Sequence, residues 1–427
     1  MPAPGLPEFD VSVVGGGPAG SAAAALLGRQ GWSVLLLERL PAPAPKICGE
    51  FVCPQAMEII DALGARHAVE TEPHRMVAGM VLSTPGGQRI ETNFAAYGPA
   101  ARAGRQGISM PRDRFDGILL KNAAHHGAHV RFGTSLSGIR MERGGAVLSL
   151  SEEQGRAASQ VRARLVVGAD GRSSAVSRLT GLSLPPRGRI RGVVHAYFEG
   201  VRGMGNRGEM HILPGGAYCA LDLTPAGICN VSYVDDLDTI RRWRRREEAL
   251  VRDAFGRNPH LQEMFAGAQC LGKIRMLAPL QVRTRQPFAD RVMLVGDAAG
   301  FYDPFTGEGI YAALRTASMA AEVANDALAG NNLSARSLAR YGWLRTRWMA
   351  PKLLVWRFFQ ALIRRDRLVE RFGRELIRHP EIGDLLVGLT GNYIPPHALL
   401  RPAVLVRLVA GLLSSAPSPW PYSRHAE

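Results

Sequence analysis

The apolar positions of this chain follow two rhythms. Near the start, Val11 to Val14 and Ser33 to Leu37 form largely apolar runs, separated by glycines and an alanine-rich segment from Pro18 to Arg29. Such runs suit strands buried on both faces of a parallel sheet, and the segment between them suits a crossing helix. Two later runs, "ARLVVGADG" and "RVMLVGDAAG", also end in glycine and aspartate, the strand-end pattern found where parallel sheets bind ligands. Ahead of both later runs, "PAPAPKICGEFVCPQAMEIIDALG" predicts a proline-rich crossing and a helix, and "ISMPRDRFDGILLKNAAHHGAHVRFG" a further helix and strand, with Arg112 just ahead of that helix.

The second rhythm begins near Arg191. "IRGVVHAYFEG", "GEMHILPGGAYCALDL" and "GICNVSYVDDL" alternate between Gly and Pro turns, which predicts antiparallel strands. Alternate residues share a face, so His195 goes with Tyr197, and Tyr218 with Ala220 and Asp222; either set is a candidate lining of a substrate pocket. From Ala335 the pattern is helical, with Leu354, Phe358, Leu362 and Phe372 expected on one face and Arg357, Arg364, Arg367 and Arg371 elsewhere. A basic amphipathic helix of this kind either covers a core or lies on a membrane surface, and "RPAVLVRLVAGLL" further on adds to the second option.

Composition narrows the classes. A chain of 427 residues has room for two or three domains. Its net charge of +15 rests on 48 arginines and only four lysines, scattered along the sequence without an aromatic stacking module, so no nucleic-acid partner is expected. Five cysteines, an odd number, fit reduced thiols in a cytoplasm. "MPAPGLPEF" lacks the basic start and apolar run of a signal peptide, and no apolar run reaches the roughly 18 residues of a membrane span. His125, His126 and His129 lack a zinc spacing with cysteine and read as surface residues, so no metal site is expected.

The chemistry concentrates at Gly15, Gly17 and Gly20, a G-x-G-x-x-G between strand and helix. The first glycine allows the turn, the second lets a pyrophosphate approach the backbone, and the third lets helix and strand pack closely. Glu38 ends the second strand, 18 residues beyond Gly20, where a carboxylate can accept hydrogen bonds from a ribose.

With "GGGPAG", "GADG" followed by "RSSAVSR", and "GDAAGFYDPFTGEGI", the chain resembles the single-Rossmann flavoproteins that include the aromatic hydroxylases and the geranylgeranyl reductases. That resemblance implies an α/β fold: a Rossmann-type FAD-binding domain, an inserted antiparallel β-sheet substrate domain and a helical C-terminal region. It implies an FAD-binding domain in three parts, at 1–80, 103–182 and 276–334. The substrate domain would be formed by an excursion at 81–102 and by 183–275, with the helical region at 335–427. FAD would be held by Gly15, Gly17, Pro18, Ala19, Gly20, Glu38, Arg39, Cys48, Gly49, Arg112, Asp170, Gly296, Asp297, Pro304, Gly307, Glu308, Gly309 and Ile310. In such proteins the equivalent of Asp297 bonds the ribityl chain. A helix starting over Pro304 to Ile310 would direct its N–H groups at the flavin and stabilise the anion formed on reduction.

No second G-x-G-x-x-G is visible, so NAD(P)H is expected as a transient electron donor. The leading expectation is a monooxygenase that hydroxylates an aromatic or polyketide-type substrate through a flavin hydroperoxide. The alternative is reduction of carbon–carbon double bonds in a prenyl or lipid substrate, favoured by "DPFTGEGI" and by Cys48 as a catalytic candidate. The Y-x-W-x-F-P segment of prenyl reductases is replaced by "YCALDL", and the W-x-W-x-I-P motif of flavin halogenases is missing. "CGEFVC" admits two readings: a redox pair of Cys48 and Cys53, as in flavin disulfide reductases, or a flavin-side Cys48 with Cys53 as a packing residue. The expected partner is a small apolar or aromatic substrate, the expected location cytoplasmic, with peripheral membrane contact through the C-terminal helices.

Overall fold

A computed structural model describes residues 6–94, 106–152, 159–390, 393–394, 402 and 406–407. Most of the stretch at 401–413 that suggested membrane contact, and part of the excursion at 81–102, lie outside the described residues. Two compact units divide the chain. The first comprises Met1–His74, Met110–Ile190 and Ala278–Ala350; the second comprises Arg75–Ser109, Arg191–Leu277 and Pro351–Glu427.

The first unit is built on an eight-stranded sheet. Its main path runs Phe288–Ala289, Val292–Leu294, Ser159–Gly168, Glu8–Val14, Val34–Leu37, His129–Arg131. The four central strands are parallel, with Val11 opposite both Val34 and Leu165 and with Gly168 opposite Leu294. Val11, Val13 and Leu35 to Leu37 are all buried, as the unbroken apolar runs require of strands covered on both faces. Ala146–Glu152 and Thr134–Met141 add an antiparallel pair beside Ser159–Gly168. The helix Pro18–Arg29 starts with proline at its first position, where the missing N–H costs nothing. It packs against the helix Gly309–Ala329 and the helix Arg112–His125. Arg112 is thus the first residue of its helix and does not precede it.

The second unit holds a seven-stranded sheet in the order Gln269–Leu277, Arg191–Glu199, Cys229–Asp236, Tyr218–Leu223, Gly208–Ile212, Met80–Ser83, Arg89–Glu91. It is antiparallel except where Gly208–Ile212 runs parallel to Met80–Ser83. One face packs on the helices Leu237–Arg242, Glu247–Gly256 and Pro259–Met264, burying Phe198, Leu221, Val231, Tyr233, Leu250 and Phe255. Phe198, Phe255 and Phe265 form its aromatic centre. The opposite face carries His195 and Tyr197, whose rings meet edge to face at 5.0 Å, and it carries Ala220 and Asp222 as well. The two residue sets read separately from the alternation are one face, joined through Ser232, which lies opposite both His195 and Ala220.

The C-terminal helices depart from the expected pattern. Ala335–Leu362 ends before a turn, and Asp366–Arg378 starts a new helix. Leu354, Phe358 and Leu362 keep the spacing of one face within Ala335–Leu362, and the break puts Phe372 on the next helix, but that face is covered only at its C-terminal end. Leu362 and Phe372 are buried, whereas Leu354 and Phe358 are 66% and 46% exposed. Within the second unit, Glu370 accepts hydrogen bonds from Thr84 Oγ1 and Gly86 N–H, and Gly373 packs so closely that a Cβ would stand 2.5 Å from Thr84. Among the described residues no helix is long and apolar enough to cross a membrane.

In the first unit the Tyr341 hydroxyl, fully buried, donates to the Leu294 carbonyl at 2.6 Å. Tyr341→Phe leaves that carbonyl without its donor and should cost about 1–3 kcal/mol, read as a lower denaturant midpoint with unchanged slope. An unchanged midpoint would show that the carbonyl finds another partner.

Candidate flavin site

Every residue expected to hold the cofactor lies in the first unit. Gly15 has a φ of +105°, and a Cβ there would stand 2.5 Å from the Ala169 carbonyl oxygen. A Cβ on Gly20 would sit 1.8 Å from the Gly15 oxygen. Gly296, at φ +58°, would push a Cβ to 2.9 Å from that of Ala19. These three glycines are required by the chain's own packing. Gly17 is not: among the described residues its added Cβ would have only Lys46 Nζ nearby, at 3.9 Å, and Gly49 and Gly309 would have nothing within 4 Å. Bare backbone at those points fits room kept for a ligand.

Glu38 is 8% exposed, and its Oε2 accepts the Gly16 N–H at 2.8 Å while Oε1 accepts that of Leu40 at 2.9 Å. Each carboxylate oxygen keeps a second lone pair for a ribose. Gly16 was missed in the sequence reading; a side chain there would strike Leu120 at 2.9 Å and Glu38 Oε2 at 3.0 Å. Pro18 and Ala19 open the buried first helix, and Arg39 is exposed just beyond Glu38.

Asp170 is turned into its own chain. Its Oδ1 accepts from Ser174 Oγ, and its Oδ2 from the N–H groups of Ala175 and Val176, at the start of the helix Ala175–Leu179. Burial holds its carboxyl above the usual range against those hydrogen bonds. The neighbouring Arg172, unremarked in the sequence, lies over the Phe301 ring and interacts with Asp297. Asp297 is half-buried, and no described residue donates a hydrogen bond to its carboxylate. Burial pushes its pKa up, with Arg172 and Arg112 pulling the other way.

The expected helix start over Pro304 to Ile310 is two turns. Asp303 Oδ1 caps a short 3₁₀ turn, Pro304–Thr306; Gly307 then takes φ +67°, and the helix begins at Gly309 after Glu308. Proline sets the first turn, and glycine allows the left-handed residue between the two.

Across the site, Asp116 is 1% exposed and binds two cations. Arg112 donates from Nε to Oδ1 and from Nη2 to Oδ2, each at 2.9 Å, and Lys46 Nζ donates to Oδ2 at 2.9 Å. Burial lowers the Arg112 pKa, but Asp116 and the nearby Cys48 outweigh it and leave it raised. Cys48 Sγ accepts the Glu50 N–H at 3.3 Å, and Glu50 holds φ +60°. Neither Cys48 nor Cys53 is in a disulfide; Cys53 is buried at the start of the helix Pro54–Ala62.

The glycines without packing need, the Asp297 carboxylate to which no described residue donates and the two cations held by buried Asp116 together fit a flavin dinucleotide. A family model described as FAD binding domain matches residues 8–342. A digeranylgeranylglycerophospholipid reductase of Methanospirillum hungatei is 31% identical over 348 residues, covering 78% of this chain and 80% of that protein. Conditioned medium factor receptor 1 of Dictyostelium discoideum is 28% identical over 401 residues, 86% of this chain and 75% of the other. Among solved structures, a flavoprotein/dehydrogenase from Cytophaga hutchinsonii superposes with a TM-score of 0.82 at 19% identity, over 95% of this chain and 98% of its own. The chain belongs to the FAD binding domain family of oxidoreductases, with the digeranylgeranylglycerophospholipid reductases among its relatives. It is an enzyme, and its cofactor is FAD.

Two substitutions separate ligand from fold. Gly17→Val should leave the melting temperature of the flavin-free protein unchanged while abolishing the yellow colour on purification; a coincident loss of both would make Gly17 a packing residue. Asp297→Asn should weaken FAD retention yet raise the apoprotein's stability at neutral pH. A carboxyl with a raised folded pKa stabilises the fold most below its unfolded pKa, and that contribution is lost as pH rises through the folded one. The variant should accordingly flatten the decline in apoprotein stability between acid and neutral pH, measured by thermal melts across that range.

Proposed function

We propose that this enzyme reduces carbon–carbon double bonds in a prenyl or lipid substrate, using NAD(P)H as a transient electron donor. The observation that carries this reading is the 31% identity to a digeranylgeranylglycerophospholipid reductase, which extends over most of both chains. It favours reduction over the hydroxylation that led the sequence reading, even though "YCALDL" stands where prenyl reductases carry an aromatic segment. Bound FAD supplies the hydride chemistry: two electrons from NAD(P)H are passed as hydride to one alkene carbon, and a proton is added to the other.

This chain's residues set the conditions for that transfer. Gly15 to Gly20 and Glu38 hold the nucleotide end, and Asp297 and the Gly309 helix start hold the flavin end. Cys48, fixed by the Glu50 N–H and close to Arg112, is the candidate for handling the substrate-side proton. The hydride must be kept from oxygen and water, which calls for an apolar substrate that excludes solvent when bound.

Turnover under labelled oxygen gas, and again without oxygen, tests the proposal. An anaerobic product heavier by two hydrogens supports reduction; label in an aerobic product, with none formed anaerobically, establishes hydroxylation and overturns it. Cys48→Ala should slow substrate reduction at least tenfold while leaving flavin reduction by NAD(P)H unchanged, followed separately by stopped-flow absorbance. Rapid reduction of a disulfide substrate, lost on Cys48→Ser or Cys53→Ser, would point to the redox-pair reading instead.

A further inference from the structure

We propose that Lys46 is a pyrophosphate-binding residue of this enzyme, presented by Asp116. The inference rests on FAD binding and is independent of which substrate the enzyme reduces. Three observations converge on it. The space beside Gly17 is open: among the described residues, Lys46 Nζ alone comes within 4 Å of the position of its missing Cβ, at 3.9 Å. Gly17 is the N-cap of Pro18–Arg29 and has no side-chain cap, so the first N–H groups of that helix are left to an anion. Lys46 lies in the proline-rich crossing, with no helix or strand to fix it, and its place is set by one hydrogen bond to a buried carboxylate 70 residues away.

The arrangement around Asp116 is asymmetric in a way that suits this role. Arg112 grips both carboxylate oxygens and its side chain is 12% exposed, while Lys46 touches only Oδ2 and is 33% exposed. The bidentate guanidinium already satisfies Asp116. Lys46 is therefore the second, more accessible cation, and an ammonium has three donors, of which one is used. The two that remain are available to phosphate oxygens without breaking the bond to Asp116. A lysine serving only to neutralise Asp116 would be redundant beside Arg112.

The test measures FAD binding to flavin-stripped protein by fluorescence quenching across a salt series, for wild type, Lys46→Met and Lys46→Arg, together with the melting temperature of each apoprotein. Lys46→Met should weaken FAD at least tenfold at low salt, about 1.4 kcal/mol, with a shallower dependence of affinity on salt because one phosphate-facing cation is gone. Lys46→Arg should restore most of both. The apoprotein melting temperatures should agree closely, since Arg112 still neutralises Asp116. Affinity within twofold of wild type for Lys46→Met overturns the proposal. So does a loss of affinity with an unchanged salt dependence, which would assign Lys46 a structural role only.

Discussion

The architecture of the cofactor-binding unit depends on how closely one helix approaches its neighbours. Pro18–Arg29 touches the turn at Gly15 through Gly20, where no side chain fits, and touches the loop at His126 through Gly28, where a Cβ would stand 2.3 Å from a carbonyl oxygen. Ala19 meets Gly296 in the same manner. Ala22 to Ala25 are all at most 1% exposed, so the alanines of this helix answer to spacing more than to helix propensity. The helix N-terminus and the Gly296–Ala299 turn, almost 280 residues apart in sequence, are thereby held within one side-chain diameter. A ligand that spans a phosphate and a flavin needs both ends fixed against a common element, and this helix is that element.

What the sequence made legible follows from how local each signal is. The glycines, the first strands and Glu38 could be read because their geometry is set within some thirty residues. Asp297 could be placed because strand ends in a parallel sheet face ligands wherever they fall in the chain. Asp170 shares that strand-end position, yet three donors within six residues take its carboxylate, a local capture that a motif does not reveal. The Lys46–Asp116 pair had no local signal at all, since one partner sits in an irregular crossing and the other on a helix 70 residues later. The apolar pattern after Ala335 misled for another reason: Leu354, Phe358 and Leu362 do share a face of one helix, but periodicity does not show how far along that face a covering surface extends, and Leu354 and Phe358 are left outside.

The same contrast separates the two sheets. In the first unit the central parallel strands are largely apolar and covered on both faces, and the expected ligand-binding residues fall at strand ends. In the second, the face toward the helices is apolar apart from the Tyr233–Asp235 hydrogen bond and a cluster in which His211 bridges Ser83 and Glu209 and Asn258 bonds Ser83 in turn. All four are buried, so this cluster ties Pro259–Met264 to the strands and is a structural network. The opposite face bears His195, Tyr197, Asn230, Ser232 and Asp222 at alternate positions, an unusual concentration of polar groups for a buried sheet.

Asp116 shows how stability and function divide within one site. A carboxylate 1% exposed is costly to desolvate, and pairing it with cations commonly does little better than break even against an apolar replacement. A fold selecting only for stability could place leucine there. What the charge achieves is position: it holds Arg112 at the start of its helix, next to Cys48, and brings Lys46 over Gly17. One buried acid thus aligns a cation beside the Cys48 thiol and another over Gly17, and on the proposal made for Lys46 the cost of burying it serves to present that cation to a pyrophosphate.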